Sequence, residues 1–366
     1  MKKTMLVIAL VAFGAPAYAQ LGGLSGTLKK IQEQKQKVDD LTFSDAEERQ
    51  IGEDVSAKIR ERFGVVQDVA VHKYVALVGT TLAKASERPN LAWTFVVLDT
   101  EGVNAFASPG GIVHITRGAL GLIRNEAELA GALAHEIGHV TRKHTINAIR
   151  KNKAVQLGTS ETLSGRAPVL DAVANKAYEI VLENSFDRAD ELDADKVSVE
   201  LTQKVGYAPA SLGDFLVRLD DRNKEQAERN GLFASHPETK ERIDKIKQLA
   251  SASKNAALVE ARYKSTIKYE PTPITSIATV PDGSAGLTGS TKKDDKDAKK
   301  AEPKKGFGLD ALKKTVAPEK ESTQVSASGG ARGLGADRAA KGGGNPTLVK
   351  TSVSDAELAT FRKGIA

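Results

Sequence analysis

The string His135-Glu136-Ile137-Gly138-His139 places two histidines four residues apart with a carboxylate between them. On a helix these positions share a face, so both imidazoles can hold one cation while Glu136 stays beside it. A metal held this way acidifies water and polarises a carbonyl, and the adjacent carboxylate can take the proton as the water attacks. That is chemistry for hydrolysing an amide bond. The chain has no cysteine, which excludes thiolate catalysis and disulfides and leaves only His, Asp and Glu as further metal ligands.

A third ligand is needed. One known arrangement sets Gly three and His six residues after the second histidine, but Arg142 and Thr145 stand there. His144, five residues on, projects from a different face of a continuous helix. What remains is a carboxylate on another helix. Glu191 fits, in Arg188-Ala189-Asp190-Glu191-Leu192-Asp193-Ala194-Asp195, where Asp195 lies one turn on and can hydrogen-bond a ligand imidazole from behind. Spacing alone leaves this segment equally open to being a solvated acidic helix face.

The elements that must position these residues form a mainly helical α+β pattern. Ser44 and Glu47 have capping-box spacing and open a helix towards Phe63; a second runs from Val69 to Ala85. The period then changes to that of strands at 93–98, 104–107 and 112–116, with turns at Glu101-Gly102 and Pro109-Gly110-Gly111. This small sheet precedes the motif helix, which Asn125 caps and which runs to Arg150. After a Gly/Ser/Thr-rich break at 158–168, a long helix covers 170–204, interrupted near Asn184. Others start at Pro209 and at Ser235-His236-Pro237-Glu238, the last reaching Leu249. Gly110, Gly111, Ile112 and Val113 begin an expected edge strand that could pair with an extended peptide through backbone hydrogen bonds. His114, on the same strand, reads as structural.

Residues 1–19, with Lys2, Lys3, an apolar run and Ala17-Tyr18-Ala19, read as a secretory signal peptide, and 20–43 as a leader. The apolar run is shorter than the ~20 residues needed to span a bilayer, and no later stretch qualifies. The expected peptidase domain covers 44–265, followed by a low-complexity disordered linker at 266–345 and a short C-terminal helix within 346–366, capped by Ser354 and Glu357. The net charge of +6 is concentrated at the end, where residues 291–366 carry sixteen Lys and Arg against ten Asp and Glu. A globally basic, nucleic-acid-binding surface is therefore excluded, and the basic tail is left as a tether or a contact to an anionic envelope surface.

Four segments in order resemble one family: Asn104-Ala105-Phe106-Ala107-Ser108-Pro109-Gly110-Gly111, His135-Glu136-Ile137-Gly138-His139, Arg188-x-x-Glu191-x-x-Ala194-Asp195, and Ser235-His236-Pro237 with Arg242. The pattern, over residues 40–250, resembles the gluzincin peptidases related to HtpX, Oma and the CAAX prenyl proteases, nearest to their soluble periplasmic BepA-like branch. No helical-repeat module follows the domain here. The resemblance implies one Zn2+ per chain on His135, His139 and Glu191, with Glu136 as general base. It places His236 near the metal, either donating to the developing oxyanion or closing the open metal position, with Arg242 holding it. It implies a periplasmic metalloendopeptidase, associated with the outer membrane, whose substrates are unfolded or misassembled envelope proteins. The 158–168 stretch would be its lid. The alternative is a chaperone-like binding factor with a latent or structural zinc site.

Overall fold

The computed structural model describes residues 42–156, 166–182, 186–223, 236, 239–280, 336–337 and 339–365. The expected signal peptide, almost all of the leader, the lid stretch up to residue 165 and most of the linker lie outside the described residues. The chain divides into two compact units, Met1–Phe43 and Ser44–Ala366, and every described helix and strand lies in the second. Among the described residues no helix is long and apolar enough to cross a membrane.

Two helices lead, α1 (Asp45–Phe63) and α2 (Val69–Ala85). The first begins as its sequence requires, with the Ser44 side chain accepting from the Glu47 backbone and the Glu47 carboxylate returning to Ser44. Three short strands come next, β1 (Thr94–Leu98), β2 (Ala105–Ser108) and β3 (Ile112–Thr116). They form one mixed sheet in the order β1-β3-β2, with β3 parallel to β1 and antiparallel to β2.

That order corrects one expectation. Ile112–Thr116 is the middle strand, paired on both sides and buried throughout, so Gly110, Gly111, Ile112 and Val113 present no exposed edge. The two glycines instead shape the turn into β3 with φ of 71° and 93°, and Gly110 lies so close to the backbone of α1 that a Cβ would meet Arg49 Cα at 2.5 Å. The edge of the sheet on this side is β2, whose four residues are also buried. Thr116 N–H donates to Asn104 O, which makes Asn104, Phe106 and Ser108 the residues bonded to β3, so the backbone groups of Ala105 and Ala107 face away from it. Among the described residues no strand pairs there. His114 is structural as expected, with Nε2 2.8 Å from Ser56 Oγ in the core; burial pushes its pKa down to about 3 and keeps it neutral.

After α3 (Arg117–Leu122) comes the central helix, α4 (Glu126–Thr141), all of whose residues are buried. Around it lie α5 (His144–Gln156), α6 (Arg166–Leu182), α7 (Arg188–Val205), α8 (Ser211–Asn223) and α9 (Thr239–Ala250). Small residues let neighbours approach α4 closely: a Cβ on Gly131 would come within 2.9 Å of Leu212, and one on Gly138 within 3.1 Å of Ala194 Cα. The acidic first turn of α4, Glu126 and Glu128, suits the helix dipole and is also a buried anchor. Glu126 accepts from Tyr74 and Tyr207, both at 2.6 Å, and from Arg262 on α10 (Glu260–Thr266). Glu128 takes a bidentate pair from Arg218 at 2.8 and 2.9 Å.

Parts of the stretch read as linker pack on the domain: Ile274 and Ile277 are buried, Ala340 bridges to Thr279, and Asp337 pairs with Arg222 at 2.6 Å. The chain then runs back past α1, where Asn345 O accepts from Val65 N–H, to α11 (Asp355–Lys363). This C-terminal helix carries the expected Ser354–Glu357 capping box and docks on α2, with Glu357 2.7 Å from Lys73 and Phe361 edge-on to Tyr74 at 6.3 Å. Arg262 joins it to the centre, stacking over Phe361, donating to the Phe361 carbonyl at 3.1 Å and pairing with Glu126. Phe361→Ala should therefore cost about 3 kcal/mol of stability by opening a cavity beside Tyr74 and Arg262. Urea unfolding of the full chain reads this directly, and an unchanged midpoint would mean the helix does not dock.

Candidate metal centre

The motif residues sit in the second half of α4, with His135 and His139 facing α7. The Gly138–Ala194 approach brings α7 near enough for its carboxylates to reach them. His135 Nε2 and His139 Nε2 are 3.0 Å apart, and the Glu191 carboxylate places Oε2 3.5 Å from the first and Oε1 3.5 Å from the second. Ligands at ~2.0–2.1 Å in a tetrahedron are about 3.3 Å from one another. The three donors thus stand as three corners around a cation, which is the set expected from sequence, and they are buried and mutually oriented.

His236 supplies the fourth corner. Its Nδ1 lies 3.3 Å from His135 Nε2 and 2.8 Å from Glu191 Oε1, and the donor atoms of His135, His139, Glu191 and His236 all fall within 4.8 Å of one another. Its other nitrogen, Nε2, is 3.6 Å from Glu136 Oε1. Behind the ligands, Asp195 Oδ1 stands 3.0 Å from His135 Nδ1, as the helical spacing suggested. Arg242, on α9, donates twice to Asp195 at 2.8 and 2.7 Å, contacts Glu191 at 2.9 Å and donates to the His236 carbonyl at 3.2 Å.

The electrostatics favour a divalent ion. Glu136, Glu191 and Asp195 place three buried carboxyl groups against the single buried guanidinium of Arg242. Burial and Arg242 lower the His135 pKa, but Asp195 and Glu191 raise it further, to about 9, so the metal-free donors attract positive charge that a divalent cation would supply in the proton's place. Burial raises carboxyl pKa values, but the facing His236 and Arg242 hold Glu191 well below the ordinary range, and Arg242 lowers that of Asp195. His139 is depressed mainly by burial and then by His135, which keeps it in the neutral form that a metal requires. Glu136 goes the other way. Burial raises its pKa more than His236 and His135 lower it, and its Oε2 has no hydrogen-bond partner among the described residues. Glu136, His135, His236 and Ala105 of β2 line a cavity of about 20 Å³, room for one water. A basic carboxylate therefore borders a water-sized space, an edge strand and a set of metal donors.

Two features escaped the sequence. Phe186 stacks on His139 with ring centroids 4.1 Å apart and 27° between planes, its only signal being an aromatic residue just before the α7 cap. The motif helix also stops short of the expected Arg150, breaking at Arg142 and Lys143, and His144 opens α5 with Nδ1 3.0 Å from His139 Nδ1. His144 is not among the donors of the metal cluster, but it does not project away from the site.

Residues 70–250 match the model of Peptidase family M48. Among curated proteins, the chain is similar to the beta-barrel assembly-enhancing protease of Yersinia pestis, 24% identical over 225 residues that cover 58% of this chain and 46% of the relative. It is also similar to a mitochondrial metalloendopeptidase of Schizosaccharomyces pombe, 25% identical over 209 residues covering 55% and 60%. A third relative is the metalloprotease LoiP of Escherichia coli (strain K12), 26% identical over 165 residues covering 43% and 63%. The chain spans about half the length of the beta-barrel assembly-enhancing proteases it matches. The family resemblance drawn from the four motifs is borne out.

Arg242 is the one guanidinium among the three carboxyl groups at the described centre. Arg242→Ala should lower the stability of the chelator-treated protein by about 3–5 kcal/mol, the usual cost of breaking a buried pair on one side. Denaturant titration of wild type and variant with chelator present would show it, and a loss below about 1 kcal/mol would place Asp195 and Glu191 in contact with solvent.

Proposed function

With residues 70–250 a Peptidase family M48 domain, we propose that this chain is a zinc-dependent metalloendopeptidase of the cell envelope that hydrolyses peptide bonds in misfolded or misassembled envelope proteins. The observation that carries the reading is the donor triangle of His135, His139 and Glu191 with the partnerless oxygen of Glu136 beside it. The nitrogen-rich donor set at tetrahedral spacing suits Zn2+, one per chain. Zinc bound there would supply Lewis acidity, polarising the scissile carbonyl and making water acidic enough to deprotonate near neutral pH.

The chain's own groups do the rest. Glu136, made more basic by burial, accepts the proton of the attacking water at its free Oε2 and passes it to the leaving amine. Asp195 fixes the ring of His135 through Nδ1, and Arg242 fixes Asp195. An extended substrate would pair with the outward backbone groups of Ala105 and Ala107 on β2 only where α6, which packs on that buried strand, gives way; such pairing demands little of its sequence and suits an unfolded client. Export through the 1–19 signal would put the enzyme in the periplasm, on or near the outer membrane, and the names of the bacterial relatives support a role in envelope protein assembly. Contact between the basic tail and an anionic envelope surface belongs to the same reading.

His236 supports a second reading, a latent or chaperone-like factor, because its Nδ1 stands where a fourth ligand would. Cleavage of unfolded casein by the purified chain separates the two. Chelator should abolish cleavage, and Glu136→Gln should slow it by about 10²–10⁴-fold while retaining zinc. Equal cutting by Glu136→Gln, or none by wild type at saturating zinc, would end the peptidase reading. Since His236 closes a corner, His236→Ala should raise the rate; a fall would instead assign it to the oxyanion.

A further inference from the structure

The two ligand imidazoles are backed differently. His135 turns Nδ1 to a carboxylate, Asp195, at 3.0 Å. His139 has no carboxylate at its Nδ1 among the described residues and meets another imidazole, His144, at 3.0 Å. His139 presents Nε2 to the other donors, so as a neutral ligand it carries its proton on Nδ1. That proton can be accepted only if His144 Nδ1 is bare, which puts the His144 proton on Nε2. There it faces Asp193 Oδ2 at 3.5 Å and Asp190 Oδ1 at 3.7 Å. The direction of every proton in the chain from His139 through His144 to the acidic side of α7 is thus set by the metal end.

The backbone is bent to make this contact. In a continuous α-helix a residue five positions on is rotated about 140° away and cannot face His139. Here Lys143 adopts φ of 57°, a left-handed conformation that costs a lysine about 1–2 kcal/mol, and α5 starts again at His144 with its side chain turned back. The Lys143 ammonium is anchored to the buried Glu48 of α1, which also pairs with Arg88 at 2.8 Å. The ring of His144 is buried, at 4.9 Å and 77° from that of His139. Phe186 stacks on the His139 ring, and its own ring lies 6.2 Å from that of His144, so the three rings pack against one another.

The geometry points to His144 as a positioning residue for the metal: it fixes the tautomer and ring plane of His139, the part Asp195 plays for His135, and the Lys143 turn exists to deliver it. The motif of this chain is then His135-Glu136-Ile137-Gly138-His139 plus His144, with the added histidine acting on the second ligand and not on the ion. This inference rests on the metal reading above, deepening it at one ligand.

Zinc affinity of the full chain, measured by competition with a chromophoric chelator, tests it without reference to proteolysis. His144→Phe keeps the ring-sized filling but accepts no hydrogen bond, and should weaken zinc binding by about 10–100-fold. His144→Gln can offer a carbonyl oxygen to the same proton and should restore affinity close to wild type. Equal affinity for wild type and His144→Phe, or a Gln variant as weak as Phe, would overturn the positioning role. Should His144→Phe fail to fold, ¹⁵N-histidine NMR of the zinc-loaded wild type decides: His139 Nδ1 protonated with His144 Nδ1 bare supports the role, and a proton on His144 Nδ1 overturns it. A wild-type chain that takes up no zinc would sink the metal reading itself, which is a separate outcome.

Discussion

The centre depends on how closely α7 lies against α4. At Gly138 the two backbones approach so nearly that a Cβ would stand 3.1 Å from Ala194 Cα, and only there can Glu191 and Asp195 span the gap to His139 and His135. A larger residue at Gly138 would separate the helices by a few tenths of an ångström or more, and distances of 3.0–3.5 Å between donors leave no slack for it. The glycine inside the motif is a packing residue whose effect is felt in the ligand set. The same approach buries three carboxylates, and Arg242 balances only one of them. Packing therefore creates a need for positive charge that a bound divalent ion meets.

What the sequence made legible was local. Residue spacing on single helices put His135 and His139 on one face with Glu136 beside them, and Glu191 and Asp195 on one face of another helix, because helical period is fixed by backbone geometry and does not depend on the rest of the fold. Capping boxes at Ser44 and Ser354 were equally local. The errors arose where tertiary context decides. Ile112–Thr116 reads as a strand whatever its neighbours, so its middle place in the sheet, with β2 at the edge, was invisible. The break after Arg142 has no glycine or proline to announce it; the left-handed Lys143 is held by Glu48, almost a hundred positions earlier in the chain.

The C-terminal end shows the opposite bias. Its Gly-rich, polar composition reads as a tether, yet the glycines at 342 and 343 are where the chain passes closest to α1 and to Asp99; a Cβ on Gly342 would lie 1.8 Å from the Phe63 carbonyl. Low hydrophobicity there reflects a lack of space for side chains. Such a strap contributes little apolar area of its own, and its docking relies on backbone hydrogen bonds to Val65 and Asp99, on the Asp337–Arg222 pair and on Phe361.

Both ends of the motif helix are therefore fixed, by Tyr74, Tyr207, Arg262 and Arg218 at Glu126 and Glu128, and by the Lys143–Glu48 pair just beyond Thr141. Sliding this helix is a costly route to a change of state at the centre, since each end would have to give up buried charge pairs. His236 is held differently. Arg242 grips its main-chain carbonyl at 3.2 Å, while the polar contacts of its ring are to donors of the site itself and to Glu136. His236 is thus held from two sides, its main chain by Arg242 and its ring by the donors of the site and Glu136.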